Sequence, residues 1–357
     1  MNDSKVRVLI VDDSALMRKL LGDMLSADPR IEVVGTAKDG VDGLGKVKTL
    51  SPDVVTLDIE MPNKNGLEVL EELMRTHPIP VIMVSSLTQE GAQVTLKALS
   101  LGCVDFVGKP SGAISIDIKS VAADLIEKVI MAKSARLRPL LKTKTAGAAA
   151  ETPKPAAPRL RPGRREILAI AASTGGPMAL QQLIAALPRN FPLPIVITQH
   201  MPKDFTASFA KRLDSLSELS VVEAAEGMPL KPGLAVVAPG GSHLIVKRRI
   251  PGGAFCGLSD APPVLSVKPS ANIMFLSVAD EFGGNVIGVI LTGMGRDGTE
   301  GATVLHSKGA YIIAESQETC VVYGMSKAAT EAGVVDELLP LHDIADALVR
   351  CVRGAER

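Results

Sequence analysis

Short apolar runs alternate with amphipathic segments along the first third of the chain. The apolar runs predict strands at residues 6–11, 31–36, 54–57, 81–84 and 104–106. Apolar positions recur at helical spacing between these runs, which predicts helices such as 15–27, 67–76 and 89–100. Strict alternation of strands and helices is typical of a parallel sheet that is covered on both faces.

The same alternation returns in the second half of the chain. It predicts strands at residues 167–171, 195–199, 234–238, 286–291 and 310–314, and helices at 177–186, 205–215, 299–308 and 344–353. The intervening segment 242–263 has the pattern of a hairpin or an irregular insertion. The predicted fold class is therefore α/β, with two doubly wound parallel-sheet domains.

The composition changes sharply between the two halves. Residues 133–165 are rich in Ala, Pro, Lys and Arg, and Glu151 is the only acidic residue among them. Such a segment has too few large apolar side chains to bury a core, so it is expected to be a flexible basic linker. The predicted domains are 1–132, 133–165 for the linker, and 166–357.

Composition narrows the functional classes. A chain of 357 residues with 46% hydrophobic and 22% charged residues is long enough for two globular cores. Its net charge of +0, its 3% aromatic content and its lack of Trp argue against nucleic-acid binding. Four scattered cysteines form no C-x-x-C pair, and no signal peptide or apolar stretch of membrane-spanning length is visible. We expect a cytoplasmic protein without membrane insertion.

Acidic residues end two strands of the first domain. Asp12 and Asp13 follow the first strand and Asp58 ends the third, at the edge where parallel sheets bind ligands. Three carboxylates there would repel one another without a hard cation, and Mg²⁺ prefers such oxygen ligands. Ser85 ends the fourth strand and Lys109 follows the fifth. Each residue alone could be a helix cap, but the four strand ends together predict a phosphoryl site.

This order of residues resembles response-regulator receiver domains over residues 6–128. The resemblance implies a flavodoxin-like domain that a histidine kinase phosphorylates on Asp58 with the aid of Mg²⁺. It also implies the residues around that aspartate: metal ligands Asp12, Asp13, Asp58 and the backbone of Glu60, and switch residues Ser85, Phe106 and Lys109.

Candidate catalytic residues follow three strands of the second domain. Ser173 lies on a tight glycine-rich turn before a helix, His200 follows the next strand, and Asp297 lies in a later glycine-rich turn. If these strands are parallel, the three side chains emerge at one sheet edge, as a nucleophile, a base and an orienting acid require.

Other interpretations of these residues stay open from spacing alone. Ser173 and Asp297 could be helix caps, His200 could be structural, and His243 is a rival base. The glycine spacing of the segment 293–298, with Glu315 about 20 residues on, also matches a dinucleotide-binding fingerprint. Against a dinucleotide site, the strand comes late in its domain and Asp297 would bring a carboxylate near the pyrophosphate.

Five motifs of the second domain appear in a recognisable order: AIAASTGGP, ITQHMP, VAPGGSH, LTGMGRDG and TCVVYGM. Together they resemble the catalytic domain of bacterial chemotaxis protein-glutamate methylesterases over residues 166–348. The resemblance implies a Rossmann-like α/β hydrolytic domain that needs no cofactor. It implies catalytic roles for Ser173, His200 and Asp297, and orienting or oxyanion roles for Thr174 and Met294. His243 matches a histidine that is not the base and would be structural or substrate-facing.

The whole chain resembles a phosphorylation-controlled hydrolase of sensory adaptation. The implied substrates are glutamate methyl esters, and selected glutamines, on cytoplasmic helices of chemoreceptors. The resemblance also implies that the unphosphorylated receiver covers the active-site edge. The alternative function is a non-catalytic receiver coupled to a binding or dinucleotide-sensing module.

Overall fold

The computed structural model describes residues 5–85, 88–109, 115–137, 165–249 and 251–353. The chain forms two compact units, Met1–Thr145 and Ala146–Arg357. Most of the predicted linker, residues 138–164, lies outside the described residues. The exact domain boundaries therefore stay a prediction.

The first unit is a five-stranded parallel sheet with helices between consecutive strands. Its strands are β1 (Val6–Val11), β2 (Ile31–Ala37), β3 (Val54–Asp58), β4 (Val81–Ser85) and β5 (Asp105–Gly108). Its helices are α1 (Ala15–Ser26), α2 (Gly40–Leu50), α3 (Gly66–Thr76), α4 (Gln89–Ser100) and α5 (Ser115–Ala132). The strand order is β2-β1-β3-β4-β5, so the connections reverse direction between β1 and β3.

The burial of side chains explains why the apolar runs form strands and the amphipathic segments form helices. Every residue of β3 and β4 is buried, as expected for strands that are covered on both faces. Helix α3 presents one apolar stripe to the sheet, including Val69, Leu70 and Leu73. Asn65 and Glu68 form a capping box that fixes where α3 begins.

The second unit is a larger parallel sheet with one added hairpin. Its strands are β6 (Ile167–Ala172), β7 (Ile195–Gln199), β8 (Ser220–Glu223), β9 (Leu234–Val237), β10 (His243–Arg249), β11 (Gly253–Ser259), β12 (Val286–Ile290), β13 (Tyr311–Glu315) and β14 (Glu337–Leu339). Its helices are α6 (Gly176–Ala186), α7 (Lys203–Leu216), α8 (Ala271–Phe282), α9 (Thr299–Ser307), α10 (Met325–Glu331) and α11 (Leu341–Arg353).

The strand order of the second sheet is β14-β13-β12-β6-β7-β9-β8, and all of its strand pairs are parallel. Strands β10 and β11 form an antiparallel hairpin outside that sheet. The connections reverse direction between β12 and β6, which places the ligand crevice of this sheet type beside the end of β6. The predicted fold class, two doubly wound parallel α/β domains, is confirmed.

The patterning missed four elements of the second unit: β8, β14, α8 and α10. The two strands have only four and three residues, too few to show a period. Helix α8 follows a proline-rich stretch and is apolar around much of its circumference, so it shows no single stripe. Among the described residues, no helix is both long and apolar enough to cross a membrane.

Candidate active site and phosphorylation site

Ser173 directly follows β6, the strand at the reversal point of the second sheet. Its backbone N–H donates to the carbonyl of Thr292, which follows the neighbouring strand β12, at 3.1 Å. On the other side, the backbone N–H of His200 donates to the carbonyl of Ala172 at 3.1 Å. Both neighbouring strands therefore hold the end of β6, and the predicted nucleophile has a fixed position at the carboxyl edge of the sheet.

The structure brings the three predicted catalytic side chains together. His200 Nδ1 lies 3.0 Å from Ser173 Oγ, and His200 Nε2 lies 2.8 Å from Asp297 Oδ2. A carboxylate can only accept, so these partners assign the ring proton to Nε2 and leave the lone pair of Nδ1 for the serine hydroxyl. The arrangement has the geometry of a nucleophile, a base and an orienting acid.

Asp297 is held by the beginning of α8, an element that the sequence did not predict. Its carboxylate accepts from Ser270 Oγ at 2.7 Å, from Ala271 N at 2.6 Å and from Asn272 N at 3.2 Å. Burial raises the pKa of Asp297, but the hydrogen bonds and charge interaction with His200, together with Ser270 and Ala271, hold this pKa below its ordinary value. The positive end of the helix dipole acts in the same direction. Asp297 is therefore kept as an anion.

Glycines allow the backbone to approach the serine closely. A Cβ on Gly293 would lie 2.8 Å from Ser173 Cβ, so only glycine fits there. Gly175, the N-cap residue of helix α6, has φ of +77°, a conformation that side-chain-bearing residues rarely adopt. Met294 follows Gly293 and is half-buried, and its backbone N–H takes part in none of the hydrogen bonds found among the described residues. A free N–H at such a turn could bind an oxyanion, and this role of Met294 stays a prediction.

Two buried polar side chains that the sequence did not single out tie the site loops together. Gln199 donates through Nε2 to the carbonyls of Ser173 at 3.0 Å and of His200 at 3.1 Å. Thr292 Oγ1 donates to the carbonyl of Thr174 at 3.0 Å. The sequence could have pointed to both residues, because each is a polar residue at or just after the end of an apolar strand.

The alternative base His243 and the alternative dinucleotide-binding residue Glu315 both have structural contacts away from the serine hydroxyl. His243 is fully buried, and its ring nitrogens contact Pro262 O and Ser270 N, so it cannot reach Ser173 as a base. Glu315 is also fully buried and accepts from the backbone N–H of Thr292 at 2.8 Å. A carboxylate in that position cannot face the ribose of a dinucleotide, so the glycine spacing alone gives that alternative no support.

The predicted acidic site of the first unit is also assembled. Carboxylate oxygens of Asp12, Asp13 and Asp58 lie within 4.8 Å of one another at the reversal point between β1 and β3. Lys109 Nζ lies 2.7 Å from Asp58 Oδ1 and 3.9 Å from Asp12 Oδ2. The backbone N–H of Glu60 donates to Asp58 Oδ1 at 3.3 Å.

The acidic site fits a magnesium ion. Burial, followed by the charge of Asp58, raises the pKa of Asp12 to about 6, and burial also raises the pKa of Asp58. Among the described residues, no hydrogen-bond donor reaches Oδ2 of either side chain, although both atoms are buried. A hard divalent cation would neutralise the excess charge and use these oxygens as ligands, which supports the predicted set with Asp13. A ligand role of the Glu60 carbonyl stays a prediction.

Of the predicted switch residues, Ser85 ends β4 and Lys109 follows β5 at the carboxyl edge, whereas Phe106 lies inside β5, two residues before its end. Ser85 Oγ accepts from Thr95 Oγ1 of helix α4 at 2.8 Å. The ring of Phe106 is buried, and Lys128 on α5 lies 5.5 Å from its centre and donates to its carbonyl at 2.7 Å. Ser85 therefore contacts α4, and Phe106 contacts α5. The switch role of these residues stays a prediction.

Comparison with known proteins assigns both units. The family of CheB methylesterases matches residues 168–348, and the response-regulator receiver domain family matches residues 8–118. The crystal structure of the Thermotoga maritima CheB methylesterase catalytic domain is 44% identical, with a TM-score of 0.51, and covers 53% of this chain and 99% of that one.

Similarity to curated proteins extends over nearly the full chain. The protein-glutamate methylesterase/protein-glutamine glutaminase of Halalkalibacterium halodurans is 47% identical over 98% of this chain and 99% of its own length. The protein of the same name from Thermotoga maritima is 46% identical over 99% of this chain and all of its own length. The chain therefore belongs to the CheB methylesterase family, in the form that carries a response-regulator receiver domain.

Proposed function

We propose that this protein is a protein-glutamate methylesterase that also deamidates glutamines, acts on chemoreceptors in the cytoplasm and is controlled by phosphorylation of Asp58. The names of relatives that match almost the whole chain support the activity. The receiver unit and its acidic site support the control. The observation that carries the proposal is the hydrogen-bonded series Ser173–His200–Asp297.

In the proposed reaction, His200 Nδ1 accepts the proton of Ser173 as the hydroxyl oxygen attacks the ester carbonyl of a glutamyl side chain. Asp297 holds the ring through Nε2 and stabilises the imidazolium that forms. The tetrahedral intermediate collapses when His200 returns the proton to the leaving methoxide, which departs as methanol. Water then repeats the same proton transfers and releases glutamate. With a glutamine substrate, the leaving group is ammonia.

The negative oxygen of the tetrahedral intermediate needs hydrogen-bond donors. We assign the backbone N–H of Met294 and the N-terminal turn of α6 to this task, because both lie beside Ser173. Removing one donor of this type typically lowers kcat about 10²–10³-fold. Thr174 would orient the same turn through its backbone, which Thr292 holds.

Phosphorylation would act through the receiver unit. A histidine kinase would supply the phosphoryl group, and Asp12, Asp13 and Asp58 would hold the Mg²⁺ ion that balances its charge. Lys109 and Ser85 would then turn toward the new negative charge, and Ser85 would give up its bond from Thr95. We propose that this change, passed on through α4 and Phe106, relieves inhibition of the hydrolase by the receiver.

Methanol release from methylated chemoreceptor membranes tests the proposal. The intact protein should release methanol, a small phosphodonor such as acetyl phosphate with Mg²⁺ should raise the rate, and Ser173→Ala should abolish release. Asp58→Ala is the matched control, because it should keep the basal rate and lose the response to phosphodonor. Absence of release by the intact protein with and without phosphodonor would contradict the esterase. An unchanged response in Asp58→Ala would contradict the proposed control.

A further inference from the structure

His243 is the first residue of β10, and its side chain is completely buried although the hydrolytic reaction gives it no task. Its Nε2 lies 3.1 Å from the carbonyl of Pro262, and its Nδ1 accepts from the backbone N–H of Ser270 at 3.0 Å. A carbonyl can only accept and an amide N–H can only donate, so these partners require a neutral ring with its proton on Nε2. Both nitrogens are therefore used.

The two partners of His243 are the two ends of one irregular loop. Residues 262–270 contain no helix or strand, and Leu265 and Ser266 both have positive φ, which is uncommon for residues with side chains. The ring of His243 bridges this loop from Pro262 to Ser270. The carbonyl of Lys268 also accepts from Gly241, two residues before His243, at 3.3 Å. The segment before β10 thus fixes where the loop ends and where α8 begins.

The residue that His243 fixes is the one that contacts the catalytic aspartate. Ser270 precedes α8, and its hydroxyl donates to Asp297 Oδ1 rather than capping its own helix. The next two backbone N–H groups, of Ala271 and Asn272, donate to the same carboxylate. The described residues donate four hydrogen bonds to Asp297, and a shift of Ser270 would move three of them at once. The fourth is the bond from His200.

We propose that His243 is a positioning residue for Asp297. Through its bond from Ser270, His243 fixes the position of the first residues of α8. These residues hold the carboxylate of Asp297, and the carboxylate orients the ring of His200. This inference rests on the proposed esterase function, because it assigns His243 to the same reaction. The sequence predicted a structural or a substrate-facing role for His243. Its full burial favours the structural role, which acts through Asp297.

Paired substitutions in the full-length protein test this role. His243→Leu removes both hydrogen bonds, whereas His243→Gln keeps one donor and one acceptor on a side chain that can reach both partners. Hydrogen bonds to a charged group such as Asp297 typically change equilibria by about tenfold or more. His243→Leu should displace the donors at the start of α8 that bind this carboxylate and so lower kcat on the order of tenfold. KM should stay within about twofold, since uniform substrate binding is not affected. His243→Gln should recover most of the lost kcat.

A second readout does not need the receptor. An organic fluorophosphonate labels a serine that its base has activated, so the labelling rate of Ser173 should fall in His243→Leu by about the same factor as kcat. Ser270→Ala removes one donor to Asp297 and should lower both rates several-fold. The fold-decrease in kcat that His243→Leu causes should be at most half as large in the Ser270→Ala background as in the wild type. The two effects should not multiply fully, because both residues act on the same carboxylate, Asp297.

Tyr311→Phe is the matched control. It removes the part-buried hydrogen bond from Tyr311 to Glu337 in the same unit. Tyr311 lies at the start of β13, away from the carboxyl edge, so kcat should stay within about twofold of wild type. Unchanged kcat and labelling in folded His243→Leu, no recovery by Gln, or fully multiplicative effects with Ser270→Ala would each overturn the proposal. If His243→Leu does not fold, His243→Gln and Ser270→Ala still test it. A wild type that labels at Ser173 but releases no methanol would contradict the proposed substrate and leave this test intact.

Discussion

Replacing Asp12 by Asn should stabilise the receiver unit when no metal is bound. Asp12 is buried beside Asp58, and burial together with that neighbour raises its pKa from 3.8 to about 6. Between these two pH values the folded protein holds a proton that the unfolded chain has released, so stability falls as the pH rises from about 4 to about 6. Above about pH 6 Asp12 is ionised in the folded protein, and the full loss of stability is reached. Asn cannot ionise and avoids this cost.

The magnitude follows from the pKa shift. A rise of about two units corresponds to roughly 3 kcal/mol at neutral pH, because one unit is about 1.4 kcal/mol. The exposed side of the site, where Asp13 lies, screens part of this energy, so we expect about 1–2 kcal/mol. Asn can keep the bond that Asp12 Oδ1 accepts from Ser14 N at 2.9 Å, and its amide can donate toward Asp58. The substitution thus removes a charge and loses only the 3.9 Å ion pair of Asp12 Oδ2 with Lys109.

Thermal unfolding of the full-length protein in EDTA, at pH 7.5 and pH 5, measures the effect. The transition of the receiver unit should rise by roughly 3–8 °C in Asp12→Asn at pH 7.5 and by about half as much at pH 5. Excess Mg²⁺ should raise the wild-type transition more than that of the variant, because the variant has lost a carboxylate ligand. Asp13→Asn is the control, since Asp13 is exposed and its charge is better solvated. Equal transitions of wild type and Asp12→Asn in EDTA at pH 7.5 would contradict a destabilising charge on Asp12. A difference that does not shrink at pH 5 would contradict the raised pKa of Asp12.

Three further substitutions test other parts of the structure. Asp297→Asn should lower kcat for methanol release about 10³–10⁴-fold, and a rate within tenfold of wild type would contradict its assigned role. Folding lowers the pKa of Asp297, so its ionised form stabilises the folded protein above about pH 4, and this contribution is lost as the pH falls through the folded-state pKa. The free energies of unfolding of Asp297→Asn and wild type should therefore converge at acid pH. Gly293→Ala should lower kcat and serine labelling at least about tenfold, since its Cβ would lie 2.8 Å from Ser173 Cβ; normal labelling would show that the turn can move. Gly45→Ala in α2 should raise the free energy of unfolding by about 0.5–1 kcal/mol in urea titrations, because its Cβ meets open space in a helix; a loss of stability would contradict the local structure.

The sequence alone determined the positions at which chemistry could occur. Buried parallel strands read as continuous apolar runs, so their carboxyl ends could be located from the pattern to within about two residues. Asp58, Ser173 and His200 each end or follow such a run, and the structure places each at the carboxyl edge of its sheet. The fold class followed from the same alternation. Element boundaries shifted by a residue or a few, because capping contacts such as that of Asn65 with Glu68 decide where a helix begins.

Which strand ends meet depends on the packing of whole elements and was not predictable from the pattern. Strand β12 lies beside β6, although three strands of the main sheet and the hairpin separate them along the chain, and this brings Asp297 to His200 across 97 residues. The anchoring of Asp297 by the start of α8, and of Ser270 by His243, was likewise invisible in the sequence. A periodic pattern records which face of a segment is buried, but not which partner buries it. Strand neighbours and cross-loop hydrogen bonds depend on how whole elements pack, and that information is distributed over the entire chain.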